Sequence, residues 1–132
     1  MKSILIVDDD PSVRRMLELT FRAAGFATHT AANGAEALRT LDETPCDLII
    51  LDMVMPEKEG IETLLQLKER TPCPGIIAIS GGARFGLTGE VRLDAHQALR
   101  LADRLGAARS FSKPLDNDEL VAVARELTAS EP

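Results

Sequence analysis

Five side chains, far apart along the chain, have the types needed to handle one phosphoryl group. Asp8 and Asp9 follow the apolar run Ile4-Leu-Ile-Val7, Asp52 follows Leu48-Ile-Ile-Leu51, Ser80 follows Ile76-Ile-Ala-Ile79, and Lys113 ends Arg109-Ser-Phe-Ser112 just before Pro114. A short apolar run that ends in a polar residue and a turn reads as a strand buried on both faces. In open α/β sheets, ligands bind at the carboxyl ends of such strands. Three carboxylates meeting there repel one another unless protons or a cation hold them. A hard divalent cation such as Mg²⁺ suits them, since it takes oxygen ligands, keeps several waters and bridges to phosphate. A carboxylate that accepts a phosphoryl group needs that cation to offset charge, and an ammonium and a hydroxyl to hold phosphoryl oxygens. Asp52, Lys113 and Ser80 can fill those roles. A plainer reading stands beside this one: an Asp before a loop often only orders the turn, and Asp8, Asp9 and Asp10 ahead of Pro11 can simply cap a helix.

The elements that must position these groups alternate regularly. Pro11 opens a helix with Val13, Met16, Leu17, Thr20, Phe21 and Ala24 at helical spacing, and Gly25 stops it. Residues 26–32 (FATHTAA) form a polar, extended segment suited to a sheet edge. Asn33 with Glu36 has the form of a capping box before a helix through Leu38 and Leu41. A third helix carries Ile61, Leu64, Leu65 and Leu67 and breaks at Thr71-Pro-Cys-Pro-Gly75. A fourth places Ala98, Leu101, Ala102 and Leu105 on one face, and Gly106 ends it. Asp116 with Glu119 caps a fifth, whose stripe is Leu120, Val123, Ala124 and Leu127. Residues 81–93, with four glycines, read as a long loop.

Five strands alternating with five helices predict an α/β, doubly wound, flavodoxin-like parallel sheet. Strands two and five are polar and belong at the edges, so the expected order is 2-1-3-4-5. The topological switch then falls between strands one and three, where Asp8, Asp9 and Asp52 meet.

Composition sets the outer limits. The chain has 132 residues, 45% hydrophobic and 27% charged, which suits one globular domain over 1–128 with a short tail at 129–132. A net charge of −6 argues against direct nucleic-acid binding. No stretch is long enough for a membrane span and no signal peptide precedes the first strand, so a cytoplasmic protein is expected. Cys46 and Cys73 lack zinc-site spacing. Each precedes an apolar strand by a similar distance, which puts both at the end of the sheet away from Asp52, expected reduced and structural. His29 and His96 have no partner cluster near them in sequence and are expected to be ordinary.

The sequence resembles the receiver domain of two-component response regulators over nearly its whole length, through IVDDD at 6–10, LDMVMPEKEG at 51–60, IS at 79–80 and SKP at 112–114. That resemblance implies that Asp52 accepts a phosphoryl group from a histidine kinase or histidine phosphotransfer protein. It implies Mg²⁺ ligation by Asp9, Asp52 and the backbone carbonyl of Val54, with Asp8 acting mainly through water. Lys113 would pair with the acids first and with a phosphoryl oxygen afterwards. Ser80 would swing toward the phosphoryl group, and the Lys113–Pro114 bond would be cis. The output face would comprise helix four, strand five and helix five, with Arg100, Arg104 and Arg109 nearby, and would bind a downstream protein. A single-domain switch and a piece of a longer regulator fit equally.

Two features depart from the family pattern. Receivers usually carry Tyr or Phe three residues before the lysine, where this chain has Ser110, and strand alternation turns the neighbouring Phe111 to the opposite face. Ser80 and Lys113 are also 33 positions apart (113 − 80), more than the family's usual spacing, and the excess falls in 81–93. Long loops in compact domains are often functional. This one is expected to report phosphorylation in place of the aromatic, with Phe85 a candidate for the missing ring. Val54 and Gly82 offer no polar side chain to orient an attacking water, so slow self-dephosphorylation is expected.

Other classes compete. A Mg²⁺-dependent phosphatase with an aspartyl-phosphate intermediate commonly has a second acid two residues after the nucleophile, where Val54 stands. A flavin module would carry a Ser/Thr-rich phosphate loop after strand one, where this chain has three acids. A protein-interaction module independent of phosphorylation would have no need of Asp9, Asp52 and Lys113 together.

Overall fold

The computed structural model describes residues 1–53, 59–80 and 95–129, with the side chains of residues 59 and 95–98 left aside. Val54, Gly82, Phe85 and the whole 81–93 segment lie outside the described residues, as do the side chains of His96 and Ala98. The elements run β1 (Ser3–Val7), α1 (Pro11–Ala23), β2 (Ala27–Ala31), α2 (Gly34–Glu43), β3 (Leu48–Asp52), α3 (Glu59–Lys68), β4 (Gly75–Ser80), α4 (Ala95–Leu105), β5 (Arg109–Ser112) and α5 (Asn117–Thr128). The strands form one sheet in the order β2-β1-β3-β4-β5, every neighbouring pair parallel. The expected doubly wound topology is therefore observed, with the two polar strands at its edges.

Strand alternation divides the core into two layers. Leu5, Val7, Ile49, Leu51, Ile76 and Ala78 face α2, α3 and α4, where Ala37, Leu41, Leu64, Leu67, Leu99 and Ala102 meet them. Ile4, Ile6, Leu48, Ile50, Ile77 and Ile79 face α1 and α5, against Leu17, Phe21, Leu120 and Ala124. Each fully buried aliphatic chain contributes about 1.5–3 kcal/mol. β3 is buried along its entire length, so Asp52 leaves a strand packed on both faces.

Helix boundaries follow local chemistry. Pro11 occupies the first turn of α1 behind the N-cap Asp10, and Gly25 past its end takes φ +96°, open to glycine at little cost. Asn33 Oδ1 accepts the Glu36 amide, while Glu36 Oε2 accepts the Ala32 amide at 2.6 Å, so the acid reaches one residue further back than in the usual capping box. Asp116 Oδ1 accepts the Glu119 amide at the start of α5.

Three apolar positions expected on buried stripes are not there. Met16 is 36% and Leu65 46% exposed, and on α4 it is Leu99, with Ala102 and Leu105, that packs on the sheet while Leu101 is only half-buried. The α1 stripe runs through positions 13, 17, 21 and 24 and the α3 stripe through 61, 64 and 67, and one residue off such a row is about 100° around the helix. Among the described residues, no helix is long and apolar enough to cross a membrane.

Candidate functional site

The acids of the β1–α1 turn divide their work by position. Asp10, directly before Pro11, turns back on the helix: its Oδ1 accepts the Ser12 amide at 2.9 Å and the Ser12 hydroxyl at 2.7 Å. The capping role expected of the whole run thus falls on Asp10. Asp8 is fully buried, its Oδ1 taking the Asp10 amide at 2.9 Å and its Oδ2 the Lys113 ammonium at 3.0 Å. Asp9 is half-buried, yet its Oδ1 lies out of solvent with no hydrogen-bond partner among the described residues. A buried carboxylate oxygen left unpaired is costly, and such an atom calls for an explanation.

Asp52 closes the site from the neighbouring strand. It is 1% exposed, and carboxylate oxygens of Asp8, Asp9 and Asp52 all lie within 4.8 Å of one another. Lys113 Nζ stands 3.9 Å from Asp52 Oδ2, so one ammonium faces two of the three acids. The Lys113 side chain is itself mostly buried, and the Lys113–Pro114 peptide is cis, as the resemblance implied. Its backbone amide donates to the Ser80 carbonyl at 2.8 Å, which ties the end of β5 to the end of β4. Ser80 is fully buried one residue beyond Ile79, the register partner of Asp52.

The donor set fits Mg²⁺. Three carboxylates within reach of a common centre supply hard oxygen ligands, and the unpaired Asp9 Oδ1 is an acceptor that a cation would satisfy. Val54, expected to add a backbone carbonyl, lies outside the described residues.

Two positioning residues were not singled out from the sequence. Arg14 Nη1 donates to the Asp8 carbonyl at 2.7 Å, pinning the turn that aims Asp8 and Asp9. In the sequence it is one of several arginines on an amphipathic helix. Gly60, which ends the 51–60 stretch, lies against the Asp52 backbone: a Cβ there would stand 2.7 Å from the Asp52 carbonyl oxygen and from Met53 Cα. Ser110 pairs in register with Ala78 and so faces the α4 side, while Phe111 packs into the opposite layer, as alternation predicted. His29 is half-buried on the edge strand β2.

Comparison with known proteins agrees with this geometry. The family model described as response regulator receiver domain matches residues 4–125. Regulatory protein AtoC of Escherichia coli (strain K12) is 36% identical over 117 residues, covering 89% of this chain but 23% of its own length. Several transcriptional regulatory proteins CpxR are likewise spanned over only about half their length. Sporulation initiation phosphotransferase F of Bacillus subtilis (strain 168) is 33% identical over 119 residues, 90% of this chain and 87% of that one. Among solved structures, a CheY-like response regulator receiver domain protein from Methanospirillum hungatei superposes with a TM-score of 0.78 at 25% identity, covering 96% of this chain and 92% of the other.

Proposed function

This chain belongs to the response regulator receiver domain family, and on that premise we propose that Asp52 accepts a phosphoryl group from a phosphohistidine donor. The donor would be a histidine kinase or a histidine phosphotransfer protein. The observation that carries the reading is the convergence of the Asp8, Asp9 and Asp52 carboxylates within 4.8 Å, with Lys113 at 3.0 Å from Asp8 and 3.9 Å from Asp52.

In the reaction an Asp52 carboxylate oxygen forms the new O–P bond while the N–P bond of phosphohistidine breaks and its electron pair returns to the imidazole. Asp8, Asp9 and Asp52, with the Val54 carbonyl, would hold Mg²⁺, which when bound supplies positive charge to offset that of the transferring phosphoryl oxygens. Lys113 starts on the acids and turns its ammonium to a phosphoryl oxygen once Asp52 carries the phosphoryl group as an acyl phosphate. Ser80, at the adjacent strand end, gives its hydroxyl to another phosphoryl oxygen. The chain thereby assists its own phosphorylation and dephosphorylation.

Output follows from where these groups are anchored. Lys113 and Ser80 end β5 and β4, and the neighbouring face of α4, β5 and α5 carries exposed Arg100, Arg104 and Arg109, the last paired with Glu126 at 3.0 Å. That face would bind a downstream protein. Within the relatives this chain matches only part of AtoC and CpxR, so output through further segments of a longer regulator is equally served by this site.

The test is incubation with Mg²⁺ and acetyl phosphate followed by mass spectrometry. One base-labile phosphoryl group, absent in Asp52→Asn and after chelation, is expected. Labelling that persists in Asp52→Asn would overturn the assignment.

A further inference from the structure

At the opposite end of the sheet, a cavity of about 410 Å³ is lined by Leu41, Pro45, Cys46, Arg70, Pro72 and Cys73 among others. It brings together both cysteines of the chain. Leu48 pairs in register with Gly75, and Cys46 and Cys73 each stand two residues before those partners. Both therefore sit in the loops that enter adjacent parallel strands, and both line this one cavity. The two side chains share one apolar cluster, in which Cys46 is a buried member and Cys73 packs against it.

The two thiols are free and differ in the way a redox pair requires. Cys46 is 9% exposed, and Cys73 opens partly to solvent. Neither makes a strong bond that oxidation would have to break: Cys46 Sγ approaches the Thr44 carbonyl at 3.5 Å and Cys73 Sγ the Pro74 carbonyl at 3.3 Å, both weak for sulfur donors. Burial pushes the Cys46 thiol above its ordinary value, against a smaller lowering by Ser3. Cys46 is thus a poor first nucleophile toward anything in solution, which leaves the opening step to Cys73.

We propose that Cys46 and Cys73 are a peroxide-responsive dithiol that closes to an intramolecular disulfide. The Cys73 thiolate attacks one oxygen of hydrogen peroxide, the O–O bond breaks, and a sulfenic acid forms as hydroxide leaves and takes up a proton. The Cys46 sulfur then attacks the Cys73 sulfur. The S–O bond breaks, and the departing hydroxide takes the Cys46 proton to leave as water. Two thiols lose two electrons and one peroxide becomes two waters. The bond ties the entry of β3 to the entry of β4, the strands whose far ends carry Asp52 and Ser80. That is six residues, roughly 20 Å, from the acid pocket, so closure stiffens the sheet without touching the carboxylates.

The experiment treats the reduced full chain with hydrogen peroxide and maps its peptides without reduction. Expected are a monomer lighter by two hydrogens, one Cys46–Cys73 linked peptide, reversal by dithiothreitol and a higher Tm in the oxidised form. A dimer linked through Cys73, or Cys73 carried on to sulfinic acid while Cys46 stays a free thiol, would overturn the proposal. In Cys46→Ser the Cys73 sulfenic acid should persist and be trapped by dimedone. Should that variant fail to fold, the order of iodoacetamide labelling in the native wild type decides instead: Cys73 first supports the pair, and equal rates refute it.

Discussion

Replacing Asp9 with asparagine should make the metal-free protein more stable while abolishing its response to Mg²⁺. Carboxylate oxygens of Asp8, Asp9 and Asp52 lie within 4.8 Å of one another. At that distance and an effective dielectric of about 20, one like-charge pair costs about 3.5 kcal/mol. Asp9 takes part in two such pairs, and among the described residues the ammonium of Lys113, 3.0 Å from Asp8 and 3.9 Å from Asp52, offsets roughly one of the acids. Among these four groups about one repulsive pair remains, and water at the half-exposed Asp9 lowers it to about 2 kcal/mol. The substitution forfeits no hydrogen bond at Oδ1, because that atom has no partner among the described residues.

Urea denaturation with EDTA, and again with Mg²⁺ in excess, separates the terms. Wild type should gain stability with Mg²⁺ in proportion to RT ln(1 + [Mg²⁺]/Kd), whereas Asp9→Asn should start higher by about 2 kcal/mol and gain little. If Asp9→Asn is the less stable protein in EDTA, the acids are not under mutual repulsion, and the argument for a cation-demanding pocket fails.

Lys113→Ala works in the opposite direction, stranding the fully buried Asp8 without its counter-charge, and should cost about 3 kcal/mol in the same urea titration. Gly60→Ala drives a methyl to 2.7 Å from the Asp52 carbonyl and Met53 Cα, backbone atoms that cannot swing aside. About 2 kcal/mol of stability should go, together with a slower rate of labelling by acetyl phosphate. Because folding raises the Cys46 thiol above its ordinary 9.0, the unfolded chain releases that proton first, so stability holds below that pH and declines above it. The decline should be shallower in Cys46→Ala, read as the slope of unfolding free energy between about pH 8 and 10. At position 54, a polar side chain should accelerate phosphoryl loss, followed by mass spectrometry after removal of the donor; an unchanged rate counts against the water-orienting argument.

The strand ends were legible because each apolar run meets its polar residue abruptly: Val7 to Asp8, Leu51 to Asp52, Ile79 to Ser80. That boundary is set by burial, which sequence reports directly, and the register of four parallel pairs then follows from topology. Helix faces were less legible. Met16, Leu65 and Leu101 are as apolar as their neighbours, and only the phase of each helix against the sheet decides which of them is left in water. Nor could spacing alone divide three consecutive aspartates. Asp10 became the cap because it directly precedes Pro11, whereas Asp8 was claimed by a lysine 105 positions away. Arg14 and Gly60 escaped notice for the same reason: a bond to a carbonyl and a missing Cβ gain meaning only from what packs beside them.

Asp9 and Lys113 should therefore move stability in opposite directions although both belong to one pocket, and the two lysine distances explain why. At 3.0 Å the ammonium donates a hydrogen bond to Asp8, and at 3.9 Å it only attracts Asp52. Asp8 anchors the lysine at the cluster, while Asp52, the proposed phosphoacceptor, is not the carboxylate it grips most closely. Under the proposed reaction, a phosphoryl group on Asp52 would require the ammonium only to exchange one oxygen for another nearby, not to cross the pocket. Removing Asp9 relieves repulsion without disturbing that anchor, whereas removing Lys113 leaves three acids facing one another. The free energy lost to repulsion in the resting protein is what divalent metal binding would recover.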